Sequence, residues 1–179
     1  MEDKELKTIH YVDNALFYQA LVEYKKLSDE CKSRGEERPT PSNYIGECFM
    51  KIATHLSYRG NFINYSFRDE MISDGIENCL YALEKFNPER SNNPFSYYTQ
   101  VIYFAFIRRI QKEKKQQMTK YKLLENMDID QFLSHADGNE DIVNSILELA
   151  RKKVDAMDTA TKEKKVKKKS KKELTELEE

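Results

Sequence analysis

The sequence predicts an all-α protein, and three observations carry that prediction. Apolar residues recur at helical spacing in five separate segments, no segment alternates apolar and polar residues as a half-buried strand does, and chain breakers are few. Only five Gly and four Pro occur in 179 residues. Eleven Tyr and nine Phe, with many Ile and Leu, supply material for a core. Long charged side chains on helices account for a mean hydropathy of -0.80 without disorder throughout.

In chain order, the first pattern is Leu16, Ala20, Leu21, Tyr24 and Leu27, closed by Gly35 and the linker Glu36-Glu37-Arg38-Pro39-Thr40-Pro41. A second helix is expected from Ser42 as N-cap, with Ile45, Cys48, Phe49, Ile52, Ala53 and Leu56 on one side, ending near Gly60. A third is expected with Ser66 as N-cap. Asp69 and Glu70 lie in its first turn, where the helix dipole favours acids. Its buried stripe reads Met71, Ile72, Gly75, Ile76, Cys79, Leu80 and Leu83, and Asp69, Glu70, Ser73, Asp74 and Glu77 form an acidic outer face.

The stretch from Phe86 to Lys115 organises the rest. Two turns, Phe86-Asn87-Pro88-Glu89 and Ser91-Asn92-Asn93-Pro94, lead into a fourth helix expected from Pro94 to Asn126, with Asn93 as cap and Pro94 at the first helical position. Six aromatics fall between Phe95 and Phe106. Phe95, Tyr98, Ile102, Ala105, Phe106 and Ile110 make a core-facing stripe, while Tyr97, Val101, Phe104 and Arg108 make an opposite one that either packs on another element or meets a ligand. Basic residues follow. Aromatics give stacking surface to any unpaired base, and Lys and Arg neutralise phosphates. A last amphipathic pattern, Ile142, Ile146, Leu147, Leu149, Ala150 and Val154, precedes a charge-segregated end from Thr161 that reads as disordered.

Net charge is -1, so overall charge names no partner, but its distribution does. From Arg108 to Lys122 there are seven basic residues against one acid, and from Leu123 to Ala150 seven acids and no Lys or Arg. From Lys162 to Lys172 there are eight lysines, and four glutamates follow. Cys31, Cys48 and Cys79 form neither a disulfide framework nor a zinc pattern, which suits a reducing cytoplasm. No leader and no apolar run of about 18 residues is visible, so a soluble chain is expected. His10, His55 and His135 are isolated, with no Gly-rich phosphate loop and no metal-ligand spacing; neither an enzyme nor a metal or cofactor site is expected.

Three pieces of this chain resemble region 2 of bacterial sigma factors. They are Glu70-Met71-Ile72-Ser73-Asp74-Gly75-Ile76, Ala82-Leu83-Glu84-Lys85-Phe86, and Phe95-Ser96-Tyr97-Tyr98. The turn Phe86-Asn87-Pro88-Glu89-Arg90 is similar to that of small alternative sigmas. The resemblance covers roughly Asn43 to Lys122. No helix-turn-helix follows Glu125, and a lone region 2 with a basic extension and charged tail most resembles the late-transcription sigma-like factors of T-even-type bacteriophages.

That resemblance implies a sigma region 2-like bundle over 39–126, preceded by an amphipathic segment over 1–38. It is followed by an acidic linker and helix over 127–160 and a flexible charged tail over 161–179. It implies a factor in the cytoplasm of an infected bacterial host that joins host core RNA polymerase and melts an AT-rich late promoter near -10. Activation through a phage sliding clamp and a late co-activator belongs to the same expectation. Glu70, Ser73, Asp74, Glu77 and Leu80 would meet the β′ clamp helices of polymerase. Gly75 fits a close helix packing position. Phe86, Tyr97, Tyr98, Phe104, Arg108, Arg109, Lys112 and Lys115 would meet DNA, and Leu174 and Leu177 the sliding clamp. Val101 and Ile102 stand where sigmas carry paired tryptophans, and Ala105 where a polar base-reading side chain is common. Two other readings accompany it: a small stress-type sigma acting without a clamp, and a polymerase-binding co-activator or anti-sigma that melts nothing.

Overall fold

The structure is a computed structural model that describes residues 11–126 and 139–176, with side chains to Thr159. Every regular element among the described residues is helical: α1 Asn14–Ser33, α2 Asn43–Ser57, α3 Arg68–Ala82, α4 Pro94–Glu125 and α5 Glu140–Glu176. The chain divides into two compact units, Met1–Ile110 and Gln111–Glu179. Helix α1 shares one core with α2, α3 and the first half of α4.

Each helix begins and ends for a local reason. Asp13 caps α1, its carboxylate accepting from the Ala15 and Leu16 N–H groups at 2.9 and 3.1 Å. Gly35 ends α1 at φ 69, a left-handed value that only a residue without Cβ adopts freely. This turn lets the Glu36 N–H reach back to the Cys31 carbonyl at 2.9 Å, satisfying an orphan acceptor. Ser42 caps α2 as expected. The expected Ser66 cap of α3 is not formed: Phe67 is the N-cap residue and makes no side-chain cap bond. Asn93 caps α4 by accepting from the Ser96 N–H at 3.0 Å. Asn14, from α1, accepts from the Phe95 N–H at 3.1 Å, so a second helix satisfies the next donor.

The core of the first unit is an aromatic pile joined by aliphatics. Tyr98 lies 4.6 Å from Phe49 and 5.6 Å from Phe17 between ring centroids, and Phe62 meets Phe106 edge-on at 5.2 Å. Around it sit Leu21, Ile45, Ile52, Met71, Cys79, Leu83 and Ile102, all buried. The α1 stripe is rotated from the expected one. Phe17, Leu21 and Tyr24 are buried, whereas Leu16 and Leu27 are each 53% exposed. Leu80, also expected in a buried stripe, lies at the exposed end of α3.

Arg38 clasps this unit across its linker. It donates to the Tyr24 hydroxyl at 2.7 Å, to the Leu80 carbonyl at 2.7 Å and to the Glu84 carboxylate at 3.3 Å. The bond to Tyr24 raises the Arg38 pKa further above its ordinary value. Tyr18 donates to the Pro88 carbonyl at 3.1 Å, holding the turn before α4 against α1.

In the second unit, α5 buries Val143, Leu147, Ala150 and Val154, one face at helical spacing. The sequence put Ile142 and Leu149 in that stripe; both are more than half exposed. Lys122 pairs with Asp158 at 3.8 Å. Helix α5 continues to Glu176, so the backbone expected to be disordered from Thr161 is helical to that residue.

Of the glycines in the first unit, Gly75 alone is closely packed. A Cβ placed there would stand 3.0 Å from Ile102 Cγ2 and 3.1 Å from Phe106 Cε1. Gly75→Val should cost about 2–3 kcal/mol through overpacking, read as a lower midpoint in urea denaturation with unchanged slope.

Candidate nucleic-acid and polymerase interface

The two faces expected to meet different partners are tied to each other. Arg109 of α4 donates through Nε to Asp74 Oδ2 and through Nη2 to Asp74 Oδ1, each at 2.6 Å. Two parallel charge-assisted bonds of this kind fix both planar groups in one orientation. The pair is mostly shielded, with side chains 18% and 27% exposed. One residue further along α4, Arg108 donates to the Asn78 side-chain oxygen at 2.6 Å, and Asn78 donates to the Asp74 backbone carbonyl at 2.7 Å. Thus Asp74 and Arg109, expected at polymerase and at DNA, spend their charged groups on the α3–α4 seam.

Around the seam the remaining expected residues divide by exposure. Glu70, Ser73 and Glu77 are exposed on α3, and Leu80 is 37% exposed at its end. Ser73 donates to the Asp69 carbonyl at 3.0 Å. On α4, Phe104 is 50% exposed, Tyr97 half-buried and Arg108 exposed. Spacings of seven and four place these three on one stripe, which is anchored at its two ends by Tyr97 on Phe86 and Arg108 on Asn78 and exposed at Phe104 between them. Lys112 and Lys115 are exposed residues of the second unit. Leu174 falls within α5, with its side chain outside the described residues, and Leu177 lies outside them altogether.

Two expected base contacts are corrected by burial. Tyr98 is 0% and Phe86 3% exposed, with ring centroids 5.7 Å apart inside the core. Neither ring offers a face to a ligand. The position of Tyr98 follows from the helical period of α4, which places it in line with Ile102, Ala105 and Arg109. Tyr97, one residue earlier, turns outward and covers Phe86 at 5.3 Å. Burial raises the Tyr97 pKa, as does the nearby Cys79.

Thr99, Gln100 and Arg59, which the sequence did not single out, gather here with residues that it did. Thr99, Gln100 and Tyr103 of α4, Leu56 of α2 and Arg59 just beyond the end of α2 line a cleft of about 360 Å³ with Phe95, Ser96 and Phe104. Arg59 lies far from α4 in the chain, and no local spacing announces the meeting. Among the described residues no cluster of His, Cys, Asp and Glu could hold a metal ion, and no helix is long and apolar enough to cross a membrane. Neither a protein-family model nor a curated protein sequence matches this chain.

Two predictions test this arrangement. Asp74→Ala leaves the Arg109 guanidinium without its carboxylate and should cost about 1.5–3 kcal/mol, the range for charge-assisted bonds, read by thermal or urea unfolding. The Tyr98 hydroxyl is buried and has no hydrogen-bond partner, so Tyr98→Phe should raise stability by about 1 kcal/mol at neutral pH.

An alkaline limb follows from the same burial. It raises the pKa of Cys79 and of Tyr98 above their ordinary values of 9.0 and 10.0. The unfolded chain then ionises first, so stability is full below about pH 9 and falls as pH rises, because the unfolded state has released more protons. Tyr98→Phe should flatten that fall above about pH 10, as followed by urea midpoints against pH.

Proposed function

We propose that this chain is a sigma-like transcription initiation factor that joins bacterial core RNA polymerase and opens an AT-rich promoter. The observation that carries the reading is Phe104, a half-exposed ring in the middle of α4, on the same stripe as half-buried Tyr97 and exposed Arg108. A core-facing requirement accounts for Tyr98, Ile102, Ala105 and Phe106, but not for a half-exposed phenylalanine in the middle of a well-packed helix. The local resemblance to sigma region 2 supports the same reading, and the close approach at Gly75 agrees with the packing it implies.

The mechanism has three physical steps. Exposed Glu70, Ser73 and Glu77 of α3, with Leu80, dock on a basic helical element of the polymerase clamp. Arg108, Lys112 and Lys115 neutralise backbone phosphates, which makes the contact salt-sensitive. Unstacked bases then pack on Tyr97 and Phe104. Each stacked base contributes about 1–3 kcal/mol, comparable to the few kcal/mol needed to unstack one step. So small a reading surface binds free duplex weakly. Polymerase, and a sliding clamp held through the Leu174–Leu177 end, would supply the missing affinity by effective concentration.

Permanganate footprinting on a supercoiled template with an AT-rich late-type element tests the reading. With core polymerase and this protein, thymines near the start site should become reactive, and more so with the clamp. Stable polymerase binding without opening would replace the proposal with a co-activator or anti-sigma role. Because Asp74 is needed for the seam, docking is tested by Glu70→Lys with Glu77→Lys. This double variant should lower polymerase affinity at least about tenfold, a loss on the order of 1.4 kcal/mol, with an unchanged melting temperature.

A further inference from the structure

Two successive arginines of α4 meet α3 in different ways, and the difference is one of charge. Arg109 is held by the Asp74 carboxylate through two bonds of 2.6 Å, so its positive charge is cancelled where it stands. Arg108 is held through Nη2 by the Asn78 side-chain oxygen at 2.6 Å, and an amide carries no charge. Among the described residues no carboxylate is paired with Arg108. Its side chain is exposed, whereas that of Arg109 is mostly shielded.

The Asn78 amide is itself oriented. Its Nδ2 donates to the Asp74 backbone carbonyl at 2.7 Å, one turn back along α3. That bond uses the nitrogen end of the amide, so the oxygen end is turned to α4, where it accepts from Arg108. Asn78 is half-buried and lies one turn beyond Gly75, where α3 and α4 approach most closely. The support is therefore built on the firmest part of the seam. An unsupported arginine on a helix surface samples many rotamers, and ordering it on a ligand costs affinity. A guanidinium already set by Asn78 avoids part of that cost. The bond occupies one nitrogen and leaves an edge of the planar fork for a bidentate contact with phosphate.

We propose that Asn78 is a positioning residue that presents the Arg108 guanidinium, its charge intact, to a phosphate of the DNA backbone. The proposal deepens the promoter-opening reading and rests on it for DNA as the ligand. Asp74 and Asn78, one turn apart on α3, sort two neighbouring arginines: the carboxylate keeps Arg109 for the seam, and the neutral amide keeps Arg108 for the ligand.

The test is fluorescence anisotropy of a labelled AT-rich duplex with the full-length chain, titrated at several salt concentrations. Arg108→Ala should weaken binding about tenfold and lower the slope of log K against log salt by about 0.9, the value for one phosphate contact. Asn78→Asp should reproduce both effects, because a carboxylate there pairs with Arg108 as Asp74 pairs with Arg109. Asn78→Ala should weaken binding about threefold with the slope unchanged, since Arg108 keeps its charge and loses only its support. In the Arg108→Ala background, Asn78→Ala should cost nothing further. Alanine is the better helix former, so Asn78→Ala stays folded, and circular dichroism checks each variant. The positioning role is overturned if Asn78→Ala has no effect, or weakens binding equally with and without Arg108. A slope left unchanged by Asn78→Asp overturns it too, as does a wild type that binds no DNA. Promoter opening that persists in any of these cases leaves the transcription reading standing. The expected pattern without promoter opening upholds the role of Asn78 and overturns that reading.

Discussion

The contact on which the first unit depends is the approach of α4 to α3 at Gly75. Without a side chain there, Ile102 and Phe106 reach the α3 backbone, and the two helices lie close enough for the guanidinium of Arg109 to close on Asp74. The apolar contact and the ion pair are one device. The glycine sets the distance, and the bidentate pair sets the rotation of α4 about its axis. That rotation decides which aromatics enter the core and which remain outside.

The consequence for function is a division of labour along a single helix. Tyr98, Ile102, Ala105 and Phe106 are spent on packing, and Phe86 joins them. Tyr97, Tyr103 and Phe104 are left wholly or partly at the surface. A helix with rings on nearly every side can satisfy a core and still offer rings to a ligand, at the expense of exposed apolar surface. The charges follow the same logic: Asp74 and Arg109 cancel within the seam, while Glu70 and Glu77 on α3 stay exposed.

Much of the fold could be read from residue order alone. Helical spacing identified Ile45, Cys48, Phe49, Ile52, Ala53 and Leu56 as the inner face of α2, and all are buried. Asn93 and Pro94 announced the start of α4, and Ser42 that of α2. The errors lie where a periodic pattern admits two rotations. In α1, Leu16 and Phe17 both fit an amphipathic stripe, and the core took the larger ring. In α5, Val143 took the place expected for Ile142. The candidate site was less legible, because exposure is not a local property. Helical spacing separated Tyr98 on the core-facing stripe from Tyr97 on the opposite one, but nothing local placed Phe86 beneath both rings.

By itself, then, the sequence determined the helical class, the bounds of most helices and the concentration of aromatic and basic residues on α4. These follow from local terms: capping, turn chemistry and apolar spacing. Only the tertiary structure decided that Asp74 and Arg109 serve each other, that Phe86 belongs to the core, and that Arg59 meets Thr99 and Tyr103 across a cleft. The physical reason is common to all three. Each depends on distances between elements far apart in the chain, set by how closely two helices can approach, and no local pattern carries that distance.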